Sequence, residues 1–143
     1  MKSLYARSTK RRVMSVEDSD ADFLVIQLAL EECLHGIEVS RAADGEQAIS
    51  MLREMMGSTM PDLIFLDRNL PRCSGFDVLR YLHSEGVTQQ TPVVMFTSAS
   101  TAGDRQRALD LGAREVIIKA LDLDSLINSI KEVCRRELRF GEA

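Results

Sequence analysis

Glu17, Asp18, Asp67, Thr97 and Lys119 are the residues of this chain whose types could work together on a phosphoryl group. Carboxylates brought close raise one another's pKa unless a cation neutralises them. A hard, oxygen-liganded ion such as Mg2+, held by one or two carboxylates and water, meets that need. Gathering Glu17, Asp18 and Asp67 into one place therefore predicts a metal site. A hydroxyl donor and a mobile ammonium, as on Thr97 and Lys119, suit the equatorial oxygens of a phosphoryl group, whose transfer depends on positioning and charge neutralisation. Asp67 is then the best-placed nucleophile, because a carboxylate can take phosphorus into a covalent intermediate. Taken singly, each residue has a plain reading: Glu17-Asp18 begins a helix, Asp67 turns a loop and Thr97 caps. Only their joint placement favours chemistry.

That placement depends on elements legible in the side-chain pattern. Short β-branched or apolar runs at 12–16, 37–42, 63–66, 93–96 and 115–118 alternate with longer segments of helical period. The first helix is expected over 20–34, with Phe23, Ile26, Leu30 and Cys33 inward. A second follows Asp44-Gly45, with Ala48, Leu52 and Met55 inward, and a third carries Phe76, Leu79 and Leu82 and is closed by Gly86. The helix over 101–111 is polar (Asp104, Arg105, Gln106, Arg107, Asp110), so it should bury little area, be less anchored than its neighbours and be the candidate moving element. The last helix begins near 122 with Leu126, Ile130 and Val133 inward and ends in the basic turn of Arg135, Arg136 and Arg139. Five βα units predict an α/β fold, a doubly wound parallel sheet in the order 2-1-3-4-5 with helices on both faces. In such sheets the functional crevice lies beyond the carboxyl ends of the strands, between strands one and three. Each of the five residues above falls at or just past a strand end.

Bulk properties set the boundaries. A chain of 143 residues with 45% hydrophobic content suits one domain with one sizeable core. With 22 acidic and 18 basic residues the net charge is -4, which argues against nucleic acid or anionic lipid as partners and for proteins. Residues 1–11 are expected to form a basic, flexible tail, residues 12–138 the domain, and residues 139–143 a short C-terminal tail. No apolar run reaches the roughly 20 residues of a membrane span, and none follows the basic start as a signal core. Cys33, Cys73 and Cys134 are widely separated and form no CxxC pair, so a reducing cytoplasm is expected. His35 and His83 lie apart and are given no role.

The run Val16-Glu17-Asp18, the segment Leu66-Asp67-Arg68-Asn69-Leu70-Pro71 with Gly75 beyond, Thr97-Ser98-Ala99 and Lys119 together resemble a response-regulator receiver domain of two-component signalling. The resemblance spans about 12–138 and implies a CheY-like, flavodoxin-like fold. It implies Asp67 as phosphoacceptor, Asp18 as a direct Mg2+ ligand, Glu17 as a ligand through water, and the Asn69 backbone carbonyl as a third protein ligand. It further implies Thr97 and Lys119 on the phosphoryl oxygens. The chain would catalyse at most its own phosphorylation and dephosphorylation, with a histidine kinase or histidine phosphotransfer protein as donor. The Asp-x-Asn-Leu-Pro wording, the lone domain and the long last helix look like the small regulators paired with bacterial phytochromes. The kinase-facing patch would include Ala21, Leu24 and the Ala120-Leu121 loop. Self-association is expected through the surface from the helix at 101–111 to the last helix, with Leu138 and Phe140 extending its apolar character.

Three other functions suit the same architecture. A flavin or nucleotide binder should offer Gly, Ser and backbone amides in its first loop, where this chain has Glu17-Asp18-Ser19-Asp20. An aspartate-nucleophile phosphatase needs an acid two residues past the nucleophile, where Asn69 stands. A receiver-like interaction module that takes no phosphate stays open because of two departures, Ala120 in place of the family's proline after lysine and Val116 in place of a switching aromatic. Without proline, a trans Lys119-Ala120 bond is expected, since a cis bond there costs about 2.5–4 kcal/mol.

Overall fold

Leu63–Asp67 and Val93–Thr97 are buried at every position, as strands covered on both faces must be. The computed structural model describes residues 10–98, 101–119 and 122–138. Its strands are β1 (Arg12–Val16), β2 (Glu38–Ala42), β3 (Leu63–Asp67), β4 (Val93–Thr97) and β5 (Glu115–Ile118). They pair in parallel in the order β2-β1-β3-β4-β5, the arrangement expected from the sequence.

The two-residue period of a strand divides its side chains between the two faces of the sheet. Ile64, Leu66, Met14 and Val16 join one core, with Ala48 and Leu52 from α2 (Gly45–Met55) and Phe76, Leu79 and Leu82 from α3 (Gly75–Ser84). Leu63, Phe65 and Val13 join the other, with Ile26 and Leu30 from α1 (Asp20–Cys33) and Ile130 and Val133 from α6 (Leu123–Glu137). Phe65 and Phe96 meet there with ring centroids 5.3 Å apart. Helices begin directly after the strand-end loops because polar residues cap them: Ser19, Asp44 and Asp122 accept from Asp22, Gln47 and Ser125 backbone N–H groups. Ser74 and Asp77 form a reciprocal capping box at α3.

Three features differ from the sequence reading or fall beyond its test. A one-turn helix, α4 (Val87–Gln90), follows α3, with Gly86 in the left-handed region at φ 77° and Val87 tucked into the core. Leu138 is 1% exposed inside the α1–α6 core, which corrects the expectation that it extends an apolar self-association surface. The Lys119-Ala120 bond, the Ala120-Leu121 loop and Phe140 lie outside the described residues. The polar helix is α5 (Ala102–Asp110), and as expected it buries little, with Ala108 its fully buried residue.

Candidate phosphoryl-transfer site

Backbone bonds that extend the sheet past each strand end place the site residues. The Glu17 N–H donates to the Ala42 carbonyl at 2.9 Å, so Glu17 continues β1 into the crevice. Arg41, at the end of β2, holds the loop that follows. Its Nε donates to the Glu17 carbonyl at 2.9 Å, its Nη1 reaches Asp20 Oδ1 at 2.8 Å, and its guanidinium lies 4.9 Å from the Phe23 ring centroid. Asp67 is the last residue of β3. The Asn69 N–H donates to Asp67 Oδ1 at 3.1 Å and the Arg68 N–H to the Phe96 carbonyl at 2.8 Å. The Lys119 N–H donates to the Thr97 carbonyl at 2.7 Å, which brings the ends of β4 and β5 to the same rim.

Beyond Asp67 the loop turns sharply. Cys73 N–H donates to the Pro71 carbonyl at 2.7 Å around Arg72, whose φ of 67° is a left-handed, strained value for a side-chain-bearing residue. Gly75 then passes so close that its N–H donates to the Arg68 carbonyl at 2.8 Å. A Cβ on Gly75 would fall on the Asp67 carbonyl oxygen and 2.6 Å from Arg68 Cα, so only glycine fits behind Asp67.

The carboxylates of Glu17, Asp18 and Asp67 each offer an oxygen within 4.8 Å of the others. Glu17 and Asp67 are buried while Asp18 is exposed, so the group opens to solvent on one side. The Lys119 ammonium lies 3.0 Å from Glu17 Oε1, 2.8 Å from Asp22 Oδ2 and 3.4 Å from Asp67 Oδ2. Burial pushes the Glu17 pKa up to about 7, with the Asp67 charge adding to the rise and Lys119 opposing it. Burial pulls the Lys119 pKa down, but hydrogen bonds to Asp22 and Glu17 and the charges of Glu17 and Asp67 outweigh it and push it up to about 12. One ammonium serves several carboxylates. Lys119 stays charged, and Glu17 is left short of positive charge. A buried, under-neutralised set of hard oxygen donors is what a small divalent cation fits.

The structure thus brings Glu17, Asp18, Asp67 and Lys119 into one cluster and puts Thr97, buried at the end of β4, and Asn69 on its rim. Sequence reading passed over Asp22, Arg41 and Arg68. For Asp22 the signal was present: Ser19 as N-cap sets Asp22 in the first turn of α1, close to the crevice and two residues past the acidic run Glu17-Asp18-Ser19-Asp20. Arg41 and Arg68 carry no local signal, because their partners are distant in sequence.

Residues 13–131 match the family model described as response regulator receiver domain. The phosphate regulon transcriptional regulatory protein PhoB of Escherichia coli is 36% identical over 126 residues, covering 88% of this chain and 52% of PhoB. Response regulator PleD of Caulobacter vibrioides is 31% identical over 131 residues, covering 92% of this chain and 28% of PleD. The chain spans about half the length, or less, of these curated relatives. Among solved structures, the phosphorylated cyanobacterial phytochrome response regulator RcpA superposes with a TM-score of 0.83 at 31% identity, covering 93% of this chain and 97% of that one. The Mn(2+)-bound form of response regulator Rcp1 gives a TM-score of 0.81 at 27% identity, covering 92% and 97%.

Proposed function

Because the chain belongs to the response regulator receiver domain family, we propose that Asp67 accepts a phosphoryl group from the phosphohistidine of a kinase or phosphotransfer protein. The observation that carries this reading is the 3.4 Å approach of the Lys119 ammonium to Asp67 within a cluster of carboxylates less than 4.8 Å apart. Glu17, Asp18, Asp67 and the Asn69 backbone carbonyl would hold Mg2+, with Glu17 acting through water. When bound, Mg2+ neutralises charge on the carboxylates and on the phosphoryl oxygens. An Asp67 oxygen attacks phosphorus, the new P–O bond forms as the P–N bond to the donor imidazole breaks, and the nitrogen keeps the bonding pair. Lys119 and Thr97 donate to the equatorial oxygens, so the transferred charge meets preformed partners. The Asn69–Asp67 hydrogen bond holds the acceptor carboxylate in place for attack. Loss of the phosphoryl group by hydrolysis closes the cycle, and no separate substrate is turned over.

The donor proposed is a histidine kinase of the bacterial phytochrome type. Support comes from the likeness to RcpA over 97% of that chain and from the wording Asp67-Arg68-Asn69-Leu70-Pro71. Ala21 and Leu24 on the exposed face of α1, with Leu24 54% exposed, would meet that donor. Among the described residues no helix is long and apolar enough to cross a membrane. The reading puts the chain in the cytoplasm, where Cys33, Cys73 and Cys134 stay reduced.

The test is intact mass after incubation with acetyl phosphate and Mg2+. The native chain gains one phosphoryl group, Asp67→Asn gains none, Asp18→Ala gains less, and Lys119→Ala retains some. Full labelling of Asp67→Asn would sink the assignment.

A further inference from the structure

An ammonium has three N–H donors and no acceptor. That of Lys119 donates to Asp22 Oδ2 at 2.8 Å and Glu17 Oε1 at 3.0 Å, and turns its remaining side to Asp67 Oδ2 at 3.4 Å. Asp22 is therefore its shortest contact, although Asp22 is neither the acceptor nor one of the carboxylates grouped for a cation. It sits in the first turn of α1, its backbone N–H donating to Ser19 Oγ at 3.2 Å, so its side chain is delivered to Lys119 by the helix cap.

The two hydrogen-bonded carboxylates differ in what they lose on release. The Glu17 side chain is 1% exposed and that of Asp22 is 39% exposed. Water can take over the Lys119 contact at Asp22, whereas Glu17 would be left as a buried charge short of compensation. A phosphoryl group on Asp67 adds negative charge and strong acceptor oxygens beside an ammonium whose donors are already engaged. One contact must yield, and Asp22 is the one whose release costs least.

Resting on the phosphoacceptor reading, we propose that Asp22 is a positioning residue whose carboxylate competes with the phosphoryl group on Asp67 for the Lys119 ammonium. In the resting site Asp22 keeps the ammonium toward α1. In the phosphorylated site the ammonium turns to the phosphoryl oxygens and Asp22 takes water. Only hydrogen bonds exchange. The strength of the Asp22 contact thereby sets how firmly the site holds a phosphoryl group.

The test titrates the full chain, at saturating Mg2+, with beryllofluoride as a stable phosphoryl mimic and reads affinity from amide resonances. Asp22→Asn keeps the shape of the side chain and removes its charge, and is expected to bind about two- to fivefold more tightly, the scale of a half-exposed ion pair. Asp22→Glu, which restores a carboxylate, returns affinity toward the native value. The Lys119 side-chain Cε resonance supplies a readout that a merely structural role would not move. It differs between native and Asp22→Asn chains when free and coincides when both are bound. Unchanged or weaker affinity in Asp22→Asn, or a Cε difference that persists in the bound state, overturns this inference while native binding leaves the phosphoacceptor reading standing. Failure of the native chain to bind beryllofluoride overturns both.

Discussion

The Arg68 guanidinium lies 3.0 Å from the Asp104 carboxylate, so the residue next to Asp67 in the chain ties helix α5 to the loop that follows β3. The same helix sends Arg107 over the Phe76 ring of α3 at 4.1 Å from the centroid, and Arg68 approaches that ring at 5.2 Å. Because Ala108 is the one fully buried residue of α5, charge and ring contacts hold the helix more than apolar area does. Asp104→Asn should speed amide exchange across α5 by about two- to fivefold, since a solvent-screened pair contributes only modestly. Exchange in β3 should stay unchanged. Equal protection of α5 in both chains would remove Arg68–Asp104 as its tether.

Glu17 predicts a pH dependence in metal-free buffer. Its folded pKa of about 7 stands above the ordinary 4.5, so the folded chain holds a proton there that the unfolded chain has released. The stabilisation from that proton is complete below about pH 4.5 and is lost as pH rises through about 7, up to roughly 3 kcal/mol by linkage. Asp77, Asp104 and Asp122, each held below the ordinary 3.8, act only at more acidic pH. Urea unfolding with chelator at about pH 5 and about pH 8 should show the fall. Added Mg2+ should recover more stability at the higher pH, because a ligand must be deprotonated to serve. A flat profile between the two would mean that Glu17 is neutralised by the protein alone.

Gly75→Ala should damage both fold and site. The added methyl would press on the Asp67 carbonyl and on Arg68 Cα, which are backbone atoms that cannot rotate away. A loss of about 1–3 kcal/mol in thermal or urea unfolding is expected, as for an overpacked core position. Labelling by acetyl phosphate should fall with it, since relief of the clash must move Asp67. Native stability in this variant would show that the loop has room to shift.

Ser15 offers the opposite outcome. It lies on β1 between Val13 and Glu17 on one face of the sheet, fully buried, and its Oγ has no hydrogen-bond partner among the described residues. Ser15→Ala removes a desolvated hydroxyl without opening a large void, so stability should rise by about 1 kcal/mol. A loss of stability on the same measurement would indicate that the hydroxyl is solvated by a buried water.

The order of elements was legible in the chain because each depends on neighbours in sequence. The continuous apolar run Leu63, Ile64, Phe65 and Leu66, helical spacing in Phe76, Leu79 and Leu82, and cap residues such as Ser74 and Asp122 act within a few positions of where they stand. Since α/β sheets gather their strand ends at one rim, Glu17, Asp18, Asp67, Thr97 and Lys119 could be grouped from the elements alone. Tertiary structure decided which of these groups touch and what else joins them. The Lys119–Asp22 contact spans 97 residues of sequence and the Arg68–Asp104 contact spans 36, so both depend on how α1 and α5 are rotated against the sheet. Leu138 shows the same dependence: it looks like a surface extension of α6, yet α1 and α6 pack closely enough to enclose it. Local pattern sets the face that a helix buries, whereas the few degrees and ångströms that bring one carboxylate rather than another to an ammonium arise only when all the packed faces are satisfied together.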